Sequence, residues 1–329
     1  MRAPHPPRVS RRRFVASVTL APTMVAGLGR FVTRDLTWAQ EATLGALGAT
    51  PGVGATPPAL RTDRPFAISA IPDQDVSVLN RQFGAMADYL GQATGLRVAY
   101  VPMVDYAALV TAFARGDLHL AWFGGLTGVQ AQAAVEGAEA IAQRPRDADF
   151  HSRFVVRAGL DVKDLTDLKG LSFTFGSESS TSGHLMPRYF LTQAGIDPER
   201  DFKGLPNYSG SHDKTIALVA AGAFDAGALN EAVWEARQAE GKVDTTKVRE
   251  FNTTPAFYDY HWGIRPDVDE VYGAGAKDWV TQTILGMDAH LSDQKAVLDL
   301  FQTEAFIPTT NDNYDQIREV AEDLGILRP

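Results

Sequence analysis

The chain has 329 residues, 45% of them hydrophobic and 22% charged, with a formal net charge of −9; this is ordinary globular composition, at a length that suits two lobes. It has no cysteine, which excludes disulfides, thiolate metal sites, a cysteine nucleophile and a lipid anchor on an N-terminal cysteine. Residues 1–64 carry nine Arg against Asp35, Glu41 and Asp63, so the remainder holds a net −15, and an acidic body argues against nucleic acid as a partner.

The N-terminus reads as a targeting segment. Ser10-Arg11-Arg12-Arg13-Phe14 precedes the mostly apolar stretch from Val15 to Gly29, the pattern of a twin-arginine export signal. Pro22 breaks that stretch, which is short for a membrane span, and Thr37-Trp38-Ala39 offers a cleavage site. The signal is therefore expected over 1–39. A linker is expected over 40–64, where Gly-Ala-Thr-Pro occurs at 48–51 and again at 54–57.

From Pro65 onward, short apolar runs alternate with helical spacing. Strands are expected at 66–71, 97–101, 118–122, 138–143, 154–157, 171–175 and 224–229. Leu79, Phe83, Met86 and Leu90 mark a first helix, and Tyr106, Leu109, Val110 and Phe113 a second. Further helices are expected from Leu126 and over 185–194, 215–221, 231–239, 279–285, 295–301 and 314–324. Repeated β-α-β units predict an α/β protein of parallel sheets flanked by helices. Val110–Trp122 and Ile216–Leu229 share a helix-Gly-strand order, an echo that two lobes built alike would produce.

The segment richest in chemistry is Ser177-Glu178-Ser179-Ser180-Thr181-Ser182-Gly183, between a buried strand and a helix. The first turn of a helix leaves backbone N–H groups unpaired, and its dipole favours negative charge. Four consecutive hydroxyl residues at 179–182 exceed what one N-cap needs. The loop thus reads either as a capped helix start or as an oxyanion cradle. His212, near a second helix start, reads as an anion donor or as a structural histidine. A third group is Tyr106, Trp122-Phe123-Gly124-Gly125, Asn230-Glu231 and Phe257-Tyr258-Asp259-Tyr260. These lie at strand ends or helix starts, where open α/β sheets bind ligands. No P-loop, dinucleotide fingerprint or nucleophile elbow occurs, and the seven His show no zinc spacing. No cofactor is expected.

Together these segments resemble the phosphonate/phosphite-type periplasmic substrate-binding proteins of ABC transporters, and among them those assigned to selenate transport. The landmarks are Tyr106-x-x-Leu109, Ala121-Trp122-Phe123-Gly124, Ser180-Thr181-Ser182-Gly183 with Pro187, Ser209-Gly210-Ser211-His212-Asp213, and Gly222-x-x-Asp225. The resemblance runs from Pro65 to the C-terminus. It implies a type II two-lobed fold, each lobe a mostly parallel sheet flanked by helices, with two crossing strands as hinge. Lobe 1 would take 65–146 and 259–329, and lobe 2 would take 147–258. Ser180, Thr181 and Ser182 would hold a small tetrahedral oxyanion, with Tyr106, His212, Glu231 and Asp259 as its other contacts. The chain would be an exported periplasmic monomer that is not an enzyme, delivering its ligand to an inner-membrane permease with its ATPase. Two other readings are an enzyme on the same fold acting on a small phosphorylated metabolite, and an oxyanion-sensing receptor. One departure is Phe150, where relatives often place a cleft tyrosine.

The anion itself stays open between two classes. Phosphoryl-type ligands titrate at about 6, whereas selenate and sulfate carry no proton near neutral pH. A carboxylate in the pocket can share a proton with the first class and repels the second. The orientation of Asp259 and Glu231 is therefore the deciding feature.

Overall fold

The computed structural model describes residues 58–327, so the export-signal expectation for 1–39 and most of the linker lie outside the described residues. The chain begins with β1 (Phe66–Ala70), α1 (Val76–Thr94), β2 (Val98–Tyr100), α2 (Tyr106–Arg115), β3 (Leu120–Phe123), α3 (Gly125–Ala134) and β4 (Glu139–Gln143). It continues with β5 (Ser152–Arg157), β6 (Phe173–Phe175), a π-turn at Thr181–Leu185, α4 (Met186–Gln193), β7 (Asn207–Tyr208), α5 (His212–Ala220), β8 (Ala226–Asn230), α6 (Glu231–Ala239) and β9 (Val248–Thr253). It returns through β10 (His261–Ile264), α7 (Val268–Tyr272), α8 (Ala276–Leu285), α9 (Ser292–Leu300), β11 (Ile307–Pro308) and α10 (Asp315–Asp323).

The strands form two sheets, ordered β11-β4-β10-β3-β1-β2 and β7-β6-β8-β5-β9. The two-lobed α/β class follows directly. The sheets, however, are mixed rather than mostly parallel. β1 runs parallel to β2 and β3, and β6 to β7 and β8, while β10 is antiparallel to β3 and β4, and β5 to β8 and β9. The reason lies in the crossings. β3, β6 and β8 run toward the cleft and deliver helix starts there. A chain arriving from the other lobe enters at the cleft, so β5 and β10 must run away from it. The two crossing segments bond to each other through Phe150 and Phe257, whose backbone N–H and C=O groups pair at 3.0 and 2.9 Å.

Local chemistry sets the helix starts. Asp75 caps α1 by accepting the Ser77 N–H, and Gly95, at φ +74°, ends it. Asp105, Ser211 and Asn230 cap α2, α5 and α6. Ser211 starts α5 at His212, three residues earlier than spacing predicts. The expected helix over 185–194 is entered through the π-turn, a local widening frequent at functional sites. β9 and β10 are not legible in the sequence. β9 is an edge strand carrying Arg249 and Glu250, and β10 is four residues long.

Leu79, Phe83, Met86 and Leu90 of α1 are buried as their spacing predicts, against the first sheet. Full burial of such a side chain is worth about 1.5–3 kcal/mol. The core of the first lobe extends to Leu185, Met186 and Ala232 of the second, so the lobes meet directly. Close approach needs glycine at Gly128, where an added Cβ would lie 2.3 Å from the His261 ring. Among the described residues, no helix is long and apolar enough to cross a membrane.

Candidate functional site

The hydroxyl-rich loop leaves β6 at Gly176 and turns back on itself, with the Gly176 N–H donating to the Gly183 carbonyl at 2.8 Å. Ser180 Oγ accepts the Gly183 N–H at 2.9 Å and so caps the π-turn. Accepting leaves the hydroxyl proton free to donate. Ser180 can therefore serve as cap and cradle together. Thr181 Oγ1 accepts the Leu126 N–H of α3 at 2.9 Å, across the cleft. Ser180, Thr181 and Ser182 are all buried.

Asp259 lies at the end of the second crossing segment. Its Oδ1 accepts the Gly125 N–H at 2.9 Å, while the buried Oδ2 has no partner within the protein. Burial pushes this carboxyl up to about 7, although the Gly125 N–H and the Thr181 and Ser182 hydroxyls pull it down. The proton therefore comes and goes near neutral pH.

Tyr106 opens α2 and His212 opens α5. The Tyr106 hydroxyl is buried without a partner. Burial and the nearby Asp73 and Asp259 hold it well above the usual phenol range, so it is a neutral donor. His212 Nδ1 accepts the Asn230 backbone N–H at 3.3 Å. A backbone N–H can only donate, so the neutral imidazole carries its proton on Nε2. That Nε2 is also buried and unpartnered, and burial lowers the ring to about 4. His212 is thus an uncharged N–H donor, packed against the turn: a Cβ on Gly183 would lie 3.0 Å from its Cε1.

The structure brings Tyr106, Ser180, Thr181, Ser182, His212 and Asp259 together. Glu231, the seventh expected contact, is held by two arginines. Its carboxylate bonds Arg153 at 3.2 Å and lies 3.9 Å from Arg146, in a network with Glu235 and Glu250. The α6 start places this side chain beside those two arginines. Phe150 is buried against Phe257 and Tyr260, with ring centroids 6.2 and 5.5 Å away. Asp73 lies among these groups but carries no motif. Its signal was positional, since it follows the carboxyl end of β1.

The six gathered residues include no Lys or Arg. Arg188 is engaged with His184, Glu199 and Tyr208, and Arg144 is salt-bridged to Asp147. The arrangement is a ring of neutral donors and one carboxyl of tunable charge, shut away from solvent. Such a site can bind and orient an oxyanion. Among the described residues, no group of three or more His, Asp or Glu is placed to hold a metal ion.

A family model described as the ABC transporter, phosphonate, periplasmic substrate-binding protein matches residues 68–314. The chain belongs to this family. It is 41% identical over 278 residues to the probable ABC transporter phosphite binding protein PhnD1 of Prochlorococcus marinus, spanning 82% of this chain and 93% of that protein. The structure of PhnD1 in complex with methylphosphonate aligns with a TM-score of 0.78, covering 80% of this chain and 99% of that one. The phosphate-import protein PhnD of Mycolicibacterium smegmatis is 25% identical, over 79% of this chain and 86% of its own. A binding component of an ABC phosphonate transporter from Pseudomonas aeruginosa, 20% identical, shares the fold at a TM-score of 0.70 over 78% of this chain and 85% of its own. As a family member, the protein is the substrate-binding component of an ABC importer and not an enzyme.

Proposed function

We propose that this protein is exported to the periplasm, captures phosphite or a phosphonate as small as methylphosphonate, and hands it as a monomer to an inner-membrane permease with its ATPase. Ser180, Thr181, Ser182, Tyr106 and His212 donate to the oxyanion, and Asp259 shares one proton with it. The lobes that close on it are 65–146 with 259–329, and 147–258.

The observation that carries this reading is the unpartnered Asp259 Oδ2 on a carboxyl raised to about 7. A phosphoryl-type anion titrates at about 6, so ligand and carboxyl can hold a shared proton drawn from either partner. A proton-free dianion such as selenate must take that proton from Asp259 alone, and no Lys or Arg of the cluster offsets the repulsion otherwise. Selenate is therefore the weaker reading. Burial of all six side chains favours a ligand without a long organic tail. The 41% identical relative named for phosphite supports the same class.

The test is calorimetry of the full chain against phosphite, methylphosphonate, phosphate, sulfate and selenate across neutral pH. Phosphite or methylphosphonate should bind tightest. Tighter binding of selenate or sulfate would sink the assignment.

A further inference from the structure

Behind the six gathered side chains, four residues close a hydrogen-bonded ring. Asp73, between β1 and α1, accepts the His212 backbone N–H on its carbonyl at 2.9 Å. Its Oδ2 accepts the Tyr260 hydroxyl at 2.7 Å. Tyr260 Oη accepts Asn230 Nδ2–H at 2.6 Å, and the Asn230 backbone N–H donates to His212 Nδ1 at 3.3 Å. All four residues are buried.

Each link has one direction. Asn230 Oδ1 accepts the Val233 N–H at 2.6 Å, so its Nδ2 is the group facing Tyr260. That amide only donates, so the single Tyr260 proton must go to Asp73. Asp73 and Tyr260 belong to the first lobe and the crossing segment, while His212 and Asn230 belong to the second. The ring is complete only when the lobes are together. Its neighbours, the Asp75 N–H to Asp213 Oδ2 at 2.8 Å and Asp213 to Arg237 at 2.6 Å, brace the same edge.

We infer that Asp73 is a positioning residue: through Tyr260 and Asn230 it ties the seating of the His212 donor to closure of the lobes, and so holds the bound oxyanion in place. This rests on the ligand site of the preceding section. Asp73 itself does not touch the ligand. Burial pushes its carboxyl up to about 6, against the Tyr260 hydrogen bond and the Arg144 charge, so at neutral pH it is largely ionised and an acceptor. Loss of the acceptor would leave the Tyr260 hydroxyl unpaired in the closed form, and the open form would relieve that cost. The effect should fall on ligand release rather than capture.

The test is stopped-flow binding of phosphite to the full chain, followed by tryptophan fluorescence; Trp122 stacks on Tyr260 at 5.8 Å and reports on the ring. Asp73→Ala and Tyr260→Phe should raise the dissociation rate about tenfold or more and leave the association rate within about threefold. Asp73→Asn keeps an acceptor and should dissociate within about threefold of the parent protein. Tyr260→Phe removes one oxygen and keeps the test decisive should Asp73→Ala fail to fold. Parent-like dissociation in Tyr260→Phe, or a loss confined to association, would overturn the inference. The double variant Thr181→Val with Ser182→Ala separates the two layers. If it binds phosphite normally, the ligand site itself is wrong; if it fails while Tyr260→Phe releases ligand normally, only the role of Asp73 is wrong.

Discussion

Thr181 Oγ1 accepts the Leu126 N–H at 2.9 Å, so a hydroxyl of the second lobe caps a helix of the first. Beside it, Asp259 Oδ1 takes the neighbouring Gly125 N–H. The start of α3 is thus satisfied by one residue from across the cleft and one from the crossing segment. Thr181 thus links the two lobes. Removing its oxygen strands a buried N–H, at about 1–3 kcal/mol.

Thr181→Val with Ser182→Ala should therefore weaken phosphite binding by about tenfold or more. Thr181→Ser, which keeps the oxygen, should bind within about threefold of the parent protein. Calorimetry of the three proteins checks both statements, and unchanged affinity in the double variant would remove these hydroxyls from the site.

Asp259 predicts a pH profile with a definite sign. Its carboxyl rises from 3.8 to about 7, so it is protonated below that value and repels a dianion above it. Affinity should fall as pH rises through about 7, and Asp259→Asn should flatten the profile. The same shift bears on folding. The stability tied to this proton is present below 3.8 and is lost as pH rises through about 7. Thermal melts of the ligand-free protein at pH 8 should show Asp259→Asn more stable than the parent, by at most about 4 kcal/mol. At pH 3 the difference should vanish.

Gly183→Ala should disable binding while sparing the fold. The added Cβ would lie 2.9 Å from Ser180 Oγ, 3.0 Å from His212 Cε1 and 3.1 Å from Gly176 Cα. The turn would have to move off His212, costing about tenfold or more in affinity at about 1–3 kcal/mol of overpacking. A near-native circular dichroism spectrum with weak calorimetric binding is the expected pair of results.

Glu231→Gln separates a neighbour of the site from a member of it. Glu231 faces Arg153 and Arg146, and Glu235 and Glu250 remain to pair with those arginines. Phosphite affinity should stay within about threefold, and stability should fall by about 1 kcal/mol. A large loss of affinity with an unchanged melting temperature would return Glu231 to the ligand.

Much of this site was legible along the chain because strand ends and helix starts are local features. Tyr106, Ser180–Ser182 and His212 all sit on first turns, Tyr106 beside the first sheet and the others beside the second, where hydroxyl, amide and ring donors cluster at strand ends. The echo between Val110–Trp122 and Ile216–Leu229 also has a structural counterpart. α2 leads into β3 and α5 into β8, and each helix opens on a residue with a buried, unpartnered polar atom, Tyr106 Oη and His212 Nε2. Glu231 looked equivalent to Asp259 by the same positional rule. The rule gives a residue's address but not the direction of its side chain, and Arg153, 78 positions away, claims that carboxylate.

The class of fold, the family resemblance and a helix start rich in hydroxyls were legible in the sequence, since each follows from short-range periodicity, capping and motif order. Only burial in the folded chain makes the candidate cluster a set of neutral donors around one carboxyl raised to about 7. That property depends on burial and on partners far apart in sequence: Asp259 against Gly125 and Thr181, His212 against Asn230 and Asp73. Desolvation acts through space, and no local pattern records it.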